Sequence, residues 1–196
     1  EKFIPVYNGV DNYILNQPLS INKESYFFSA ARFIPKKGID LLFELSSLFN
    51  HKKVFLAGGK EKNILKLNLT APKNVEILGI IDYKSISNYL SNSYLTLITS
   101  KLEPYGIFVA EAICSGSPLV SSNVGGIPEI ISLAKKKLTI NEKEIFNEWI
   151  KIVPPDIKSF QSAIKLIINN NRSSFNEFLL IIKKIRMKFS WNNRLK

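Results

Sequence analysis

Two cations of this sequence follow a buried apolar run at a spacing that could bind an anion. Arg32 comes at the end of the run Tyr26–Phe33, which reads as a strand, and Lys37 begins the next helix. Both would lie at the carboxyl edge of a sheet, where a guanidinium and an ammonium can neutralise a diphosphate without a metal ion. The alternative is a pair of solvated surface cations, which the spacing alone leaves open.

Residues 103–111 (EPYGIFVAE) combine two carboxylates with a glycine-led helix start. The N–H groups of Ile107–Val109 should lack partners within the helix, so they can bind an anion with help from the helix dipole. Glu103 precedes the helix and could accept hydrogen bonds from sugar hydroxyls. Glu111 is the only charge in a long apolar run, so it is either exposed on a narrow stripe or a half-buried acceptor with a partner.

A second glycine-rich helix start follows at Gly125–Glu129 (GGIPE). Two such starts at neighbouring strand ends can build one anion site lined by backbone N–H groups. The run Gly58–Lys60 is a weaker candidate for the same edge.

Few residues suited to metal binding or histidine-based catalysis are available. His51 is the only histidine, and the aspartates are widely separated in sequence. A histidine triad or histidine metal site is therefore nearly excluded within this chain, and no Asp-x-Asp pair can hold a divalent metal against a diphosphate. We expect no metal ion and no cofactor.

The elements that would position these residues alternate between strand and helix. Five apolar runs read as strands: Tyr26–Phe33, Val54–Ala57, Val75–Leu78, Tyr94–Thr99 and Ser117–Ser121. Amphipathic helical patterns lie between most of them. This alternation predicts an α/β fold with a doubly wound, mostly parallel, Rossmann-like sheet, in which ligands bind at the carboxyl ends of the strands.

The length and composition fit one domain over residues 1–196. Residues 1–22 lead into it, 135–152 form an insertion candidate, charged and polar over 141–152, where we expect a helix, and 172–196 form a C-terminal helix and tail. A lone cysteine and the lack of an apolar stretch long enough to span a membrane favour a cytoplasmic location.

The formal net charge of +11 is the one unusual bulk property. Such an excess suits a solvated surface, an anionic membrane or, less well, nucleic acid. This charge is compatible with a peripheral contact at the inner, anionic face of a membrane. We expect no nucleic-acid partner.

Residues 103–130 (EPYGIFVAEAICSGSPLVSSNVGGIPEI) resemble the Glu-x7-Glu region of glycosyltransferase family 4, retaining enzymes of the GT-B fold. Further resemblances occur in the same order along the chain, in Tyr7–Asp11, Arg32–Ile39, Val75–Gly79, Val153–Pro155 and Phe189–Trp191. The resemblance implies that the chain is the C-terminal, nucleotide-sugar-binding half of a GT-B architecture, with the N-terminal acceptor domain absent.

The resemblance also implies a role for each matching residue. Arg32 and Lys37 would bind the donor diphosphate and stabilise the leaving group, and Glu103 would bind the donor sugar. Backbone groups of Gly106, Ile107, Phe108 and Val109 would hold sugar and phosphate, Glu111 would bind the ribose, and Ile80 and Ile81 would flank the base. Ala31 departs from the family, in which glycine is common at that position.

The function that this resemblance implies belongs to the full-length protein. It would transfer a hexose-type sugar from a UDP- or GDP-sugar to a glycan, lipid or small molecule, with retention and without a metal, and we expect the isolated domain to be inactive. Two alternatives stay open: a sugar-nucleotide epimerase or phosphorylase on a similar fold, and a non-enzymatic basic module that binds polyanions or membranes.

Overall fold

The computed structural model describes residues 8–59, 68–170 and 172–194. Within them, six parallel strands form one sheet in the spatial order β3-β2-β1-β4-β5-β6. The strands are β1 (Phe27–Ala30), β2 (Val54–Ala57), β3 (Val75–Gly79), β4 (Leu95–Ile98), β5 (Leu119–Ser122) and β6 (Ile150–Val153). This is the order of the doubly wound dinucleotide-binding fold, so the predicted Rossmann-like α/β class is confirmed.

Helices connect the strands and flank the sheet. They are α1 (Asn12–Asn16), α2 (Ile39–Leu48), α3 (Tyr83–Asn92), α4 (Ile107–Cys114), α5 (Ile127–Lys135), α6 (Ile140–Trp149), α7 (Ile157–Ile168), α8 (Phe175–Ile185) and α9 (Trp191–Arg194). Short 3-10 turns occupy Pro35–Lys37, Arg172–Ser174 and Arg186–Phe189. In the described ranges, every helix is too short or too polar to cross a bilayer.

The central strands are shorter than the apolar runs that predicted them. Every residue of β4 and β5 is buried, as expected for parallel strands covered by helices on both faces. β1 ends at Ala30 and not at Phe33, so Arg32 lies in the loop that follows the strand. The carboxyl edge of the sheet is therefore formed by loops that carry the polar residues.

A sixth strand, which the sequence patterns did not predict, follows α6. Its four residues pair in parallel with β5 from Ile150 to Val153. Helix α6 starts with a capping box between Thr139 and Glu142 and ends at Trp149, so the expected helix up to Ile152 is wrong. Residues 150–152 pair with β5 and therefore belong to the sheet. The segment 135–152 contains the end of α5, all of α6 and most of β6.

Trp149 anchors this region to α8. Its side chain is 2% exposed, and its ring lies 4.8 Å from the ring of Phe175 and 6.2 Å from that of Phe178, measured between centroids. The indole N–H donates to Ser174 Oγ at 3.1 Å. The α6–β6 unit is thus part of the core.

The two ends of the described chain lie side by side. The Val10 N–H donates to the Phe189 carbonyl at 2.7 Å, and Val10 forms a parallel bridge with Ser190. A Cβ atom on Gly9 would lie 2.7 Å from Trp191, so this contact requires glycine. Of the residues considered above, Tyr7 and Lys60 lie outside the described residues.

We predict that Trp149→Ala lowers the free energy of unfolding by about 3–5 kcal/mol, because it empties a large buried site and leaves Ser174 without its donor. Urea unfolding followed by far-UV circular dichroism measures the loss. The control is Trp191→Ala, since Trp191 is 45% exposed and its loss should cost about 1 kcal/mol or less. Equal effects of the two substitutions would contradict the core role of Trp149.

Candidate functional site

A cavity of about 180 Å³ opens at the carboxyl edge, between the loops that follow β1 and β4. The sheet reverses its winding at this point, because β1 lies between β2 and β4. Ligands of open α/β sheets bind in this crevice. Of the predicted site residues, Arg32, Lys37, Glu103, Ile107 and Phe108 all line the cavity.

Lys37 and Glu103 form an ion pair on the wall of this cavity. Lys37 Nζ donates to Glu103 Oε2, and the two side chains are only 13% and 16% exposed. Ser100 Oγ also donates to Glu103 Oε2, at 3.3 Å. The carboxylate is therefore fixed in orientation before any ligand binds, and Ser100 is a polar neighbour that the sequence did not single out.

Backbone contacts hold together the three loops that follow β1, β4 and β5. The N–H groups of Lys101 and Leu102 donate to the Lys36 carbonyl at 2.8 and 3.1 Å. The Gly126 N–H donates to the Glu103 carbonyl at 3.0 Å. The loop that carries Glu103 is thus joined to both of its neighbours.

Two glycines permit this approach. A Cβ on Gly38 would lie 2.0 Å from the Thr99 carbonyl oxygen, and one on Gly125 would lie 1.9 Å from the Glu103 carbonyl oxygen. Both glycines also have left-handed backbone, with φ of 64° and 55°. No larger residue fits at either position without moving a loop.

Helix α4 directs its N-terminus at the cavity. Gly106, with φ of 86°, turns the chain into the helix. The N–H groups of Ile107 and Phe108 have no hydrogen-bond partner among the described residues. The Val109 N–H, which we expected to be free as well, instead donates to the Gly106 carbonyl at 2.9 Å. Two N–H groups at the positive end of the helix dipole are therefore available to an anion.

Arg32 joins this cavity to a second one of about 460 Å³. The second cavity is mainly apolar and is lined by residues after β1, β2 and β3, among them Ile80 and Ile81. Ile80 is 77% exposed and Ile81 is half-buried. Arg32 is itself exposed and lies on both cavity walls.

Glu111 lies apart from both cavity linings and has a partner that the sequence did not reveal. The Tyr83 hydroxyl donates to Glu111 Oε1 at 2.8 Å. Burial, with a smaller contribution from the Asp11 charge, raises the pKa of Glu111 to about 7 against the opposing effect of the Tyr83 hydrogen bond. Burial and the Glu111 charge also raise the pKa of Tyr83. Of the two alternatives for Glu111, the half-buried acceptor is the one observed.

The described residues gather most of the predicted site at one edge of the sheet. Gly106 and Val109 are buried at the start of α4 and do not line the cavity themselves. Within the described ranges, no three His, Cys, Asp or Glu side chains come together in a way that could hold a metal ion.

Comparison with known proteins identifies a family. The model of the family described as glycosyl transferases group 1 matches residues 12–179. An uncharacterized glycosyltransferase of Methanocaldococcus jannaschii is 25% identical over 196 residues, covering 96% of this chain and 50% of the relative. A phosphatidylinositol N-acetylglucosaminyltransferase component from Homo sapiens is 30% identical over 109 residues, covering 52% of this chain and 22% of the relative. The chain thus spans at most about half the length of these curated relatives.

Solved structures share the fold. Anabaena HepE in complex with UDP and glucose aligns with a TM-score of 0.70 and 19% identity, covering 96% of this chain and 53% of that one. A mutant of S. aureus TarM in complex with Fondaparinux, alpha-GlcNAc-glycerol and UDP aligns with a TM-score of 0.69 and 23% identity, covering 100% of this chain and 38% of that one. These likenesses place the sheet among the Rossmann-like folds of GT-B glycosyltransferases. Because the family model spans most of the sequence, the chain belongs to the group 1 glycosyl transferases.

Proposed function

We propose that this chain is the C-terminal, donor-binding domain of a family 4 glycosyltransferase that transfers a hexose-type sugar from a UDP- or GDP-sugar. The observation that carries the proposal is the pair of adjoining cavities at the carboxyl edge. One is small and lined by cations, a carboxylate and a helix N-terminus, and the other is larger and apolar. A nucleotide diphosphate sugar has the same division between a charged diphosphate and a flat base.

The diphosphate occupies the smaller cavity. Arg32 and Lys37 approach it from the loop after β1, and the free N–H groups of Ile107 and Phe108 approach it from α4. When the bond between the anomeric carbon and the diphosphate breaks, negative charge builds up on the leaving oxygen. Cations and backbone N–H groups at that position stabilise the charge in the transition state.

Glu103 binds the hydroxyls of the donor sugar. Its carboxylate is acceptor-only when ionised, and among the described residues Lys37 and Ser100 contact just one of its two oxygens. The other oxygen is available to sugar O–H donors. Lys37 can turn from the carboxylate toward the diphosphate, so the ion pair prepares both groups for the ligand.

The nucleoside extends from the diphosphate toward the other predicted residues. The base lies in the apolar cavity beside Ile80 and Ile81, and the ribose hydroxyls donate to Glu111. Tyr83 holds one oxygen of this carboxylate and leaves the other for the ribose. This arrangement needs Glu111 to be ionised when the nucleotide binds.

Transfer itself requires an acceptor as well as this donor site. We propose that a separate N-terminal domain binds a glycan, lipid or small-molecule acceptor, and that transfer proceeds with retention and without a metal or cofactor. The isolated chain is then a nucleotide-sugar binder without transferase activity. The excess of lysine suits a peripheral position at the inner, anionic face of the cytoplasmic membrane.

We predict that the chain prefers one nucleoside diphosphate. Isothermal titration calorimetry is carried out with UDP, GDP and ADP and with the corresponding nucleotide sugars. One nucleoside diphosphate should give a Kd at least about tenfold below the others, because the base has its own cavity. Equal and weak binding of all three that disappears at moderate salt would instead indicate a non-enzymatic polyanion-binding module.

We predict that Glu111→Ala weakens binding of the preferred nucleoside diphosphate by about 10–100-fold, because it removes a charged acceptor worth about 1.5–3 kcal/mol. Binding of inorganic pyrophosphate should stay within about twofold, since pyrophosphate has no ribose. Glu177→Ala, a change at an exposed carboxylate on α8, is the control. An unchanged nucleotide affinity in Glu111→Ala would remove Glu111 from the site.

The pKa of Glu111 predicts a pH dependence of binding. Since this pKa is raised to about 7, the carboxyl becomes protonated as the pH falls through 7, and affinity for a nucleotide diphosphate sugar should fall with it, by up to about tenfold per pH unit. Tyr83→Phe removes a hydrogen bond that lowers this pKa, so the midpoint should move to higher pH. Glu111→Gln should flatten the profile, and a profile that persists in Glu111→Gln would assign the titration to another group.

A further inference from the structure

A groove of about 750 Å³ runs along α5, outside the two cavities of the donor site. Tyr105 and Glu129 line the end nearest the carboxyl edge of the sheet. Lys135, Lys136 and Lys143 line the rest of it, over an apolar floor that includes Ile130. We call this feature the lysine groove.

Three of the residues that line the lysine groove are cations. None of Lys135, Lys136 and Lys143 takes part in an ion pair in the part of the chain that the structure describes. Burial lowers the pKa of Lys135, and the charge of Lys143 lowers it further. Because these three lysines line one groove, an anion that lies in it can contact more than one ammonium group.

Further lysines lie around the part of the groove that Lys136 lines. Lys188 Nζ donates to the Lys136 carbonyl. Burial lowers the pKa of Lys188 most, and the charges of Lys137 and Lys184 also lower it. Among the carboxylates nearby, Glu142 is already engaged by Lys184 at 2.6 Å. The positive field thus extends beyond the groove lining.

The groove begins beside the proposed donor site. Tyr105 lies between Glu103 and Gly106, and its hydroxyl donates to the Asn8 carbonyl at 2.6 Å, which fixes the ring at the mouth of the groove. Helix α5 has nine residues, so the lysines at its far end lie roughly 13 Å along the helix from its start. A chain of a few sugar units could reach from the donor sugar to these lysines.

We propose that the lysine groove binds a phosphate-bearing stretch of the acceptor glycan; this inference rests on the proposed function. Ammonium groups bind phosphate as point charges and need no fixed plane, unlike a guanidinium. The Tyr105 ring and the apolar floor suit the faces of sugar rings. The groove is an open recess along α5, and a flexible chain can follow such a recess better than the flat surface of a bilayer can.

The test compares lysine variants in a background without the donor-site cations. In Arg32→Gln, Lys37→Gln protein, calorimetry measures binding of inorganic tripolyphosphate, and the added changes Lys135→Gln, Lys136→Gln and Lys143→Gln should weaken it at least about tenfold. The control adds Lys73→Gln, Lys165→Gln and Lys183→Gln, three exposed lysines elsewhere, and should weaken it less than about twofold. Equal weakening by the two triple changes would overturn the proposal, because net charge alone would then explain binding.

A second arm separates a soluble phosphate chain from a lipid surface. The same proteins are sedimented with vesicles of phosphatidylglycerol and phosphatidylcholine. Loss of vesicle binding without loss of tripolyphosphate binding in the protein with the three groove-lysine changes would overturn the proposal in favour of a membrane contact.

The same three lysine changes, made with Arg32 and Lys37 intact, should keep the nucleoside diphosphate affinity within about twofold. Failure of the parent chain to bind any nucleotide would overturn the donor-site proposal on separate evidence.

Discussion

The close approach of three loops at the carboxyl edge is the constraint on which the rest of the site depends. Gly38 and Gly125 each lie against a carbonyl oxygen of the loop after β4, at distances that leave no room for a Cβ atom. The resulting hydrogen bonds to the Lys36 and Glu103 carbonyls fix the backbone on both sides of the cavity. A phosphate or sugar that binds there therefore meets groups that are already in place, and the protein loses little conformational freedom on binding.

The electrostatics of this edge combine fixed positive groups with carboxylates that are already engaged. Glu103 is paired with Lys37, and Glu111 is held by Tyr83 and carries a pKa raised to about 7. Neither carboxylate therefore presents a free negative charge to an incoming anion. In the proposed function, each carboxylate offers its second oxygen to hydroxyls of the ligand, which gives both of them a role in selecting a sugar nucleotide over phosphate.

The α6–β6 unit links the sheet to the lysine groove. β6 extends the sheet beyond β5, and α6 packs through Trp149 on α8. This packing places Lys143 opposite the end of α5 and brings Lys188 to the Lys136 carbonyl. A region that the sequence marked only as a helical insertion candidate therefore assembles the basic surface beside the proposed donor site.

The sequence by itself determined the fold class, the approximate positions of five strands and the main polar and helix-start residues that line the proposed donor cavity. Those signals are local, because apolar runs, glycine-led turns and helix starts depend on neighbours in the chain. Only the tertiary structure decided which residues pair: Lys37 with Glu103, 66 residues apart, and Tyr83 with Glu111, 28 residues apart. It also decided that Ile150–Val153 is a strand and that the Val109 N–H donates to the Gly106 carbonyl at the start of α4. A four-residue run with a lysine has no distinct local pattern, and a contact across loops depends on how those loops pack against one another.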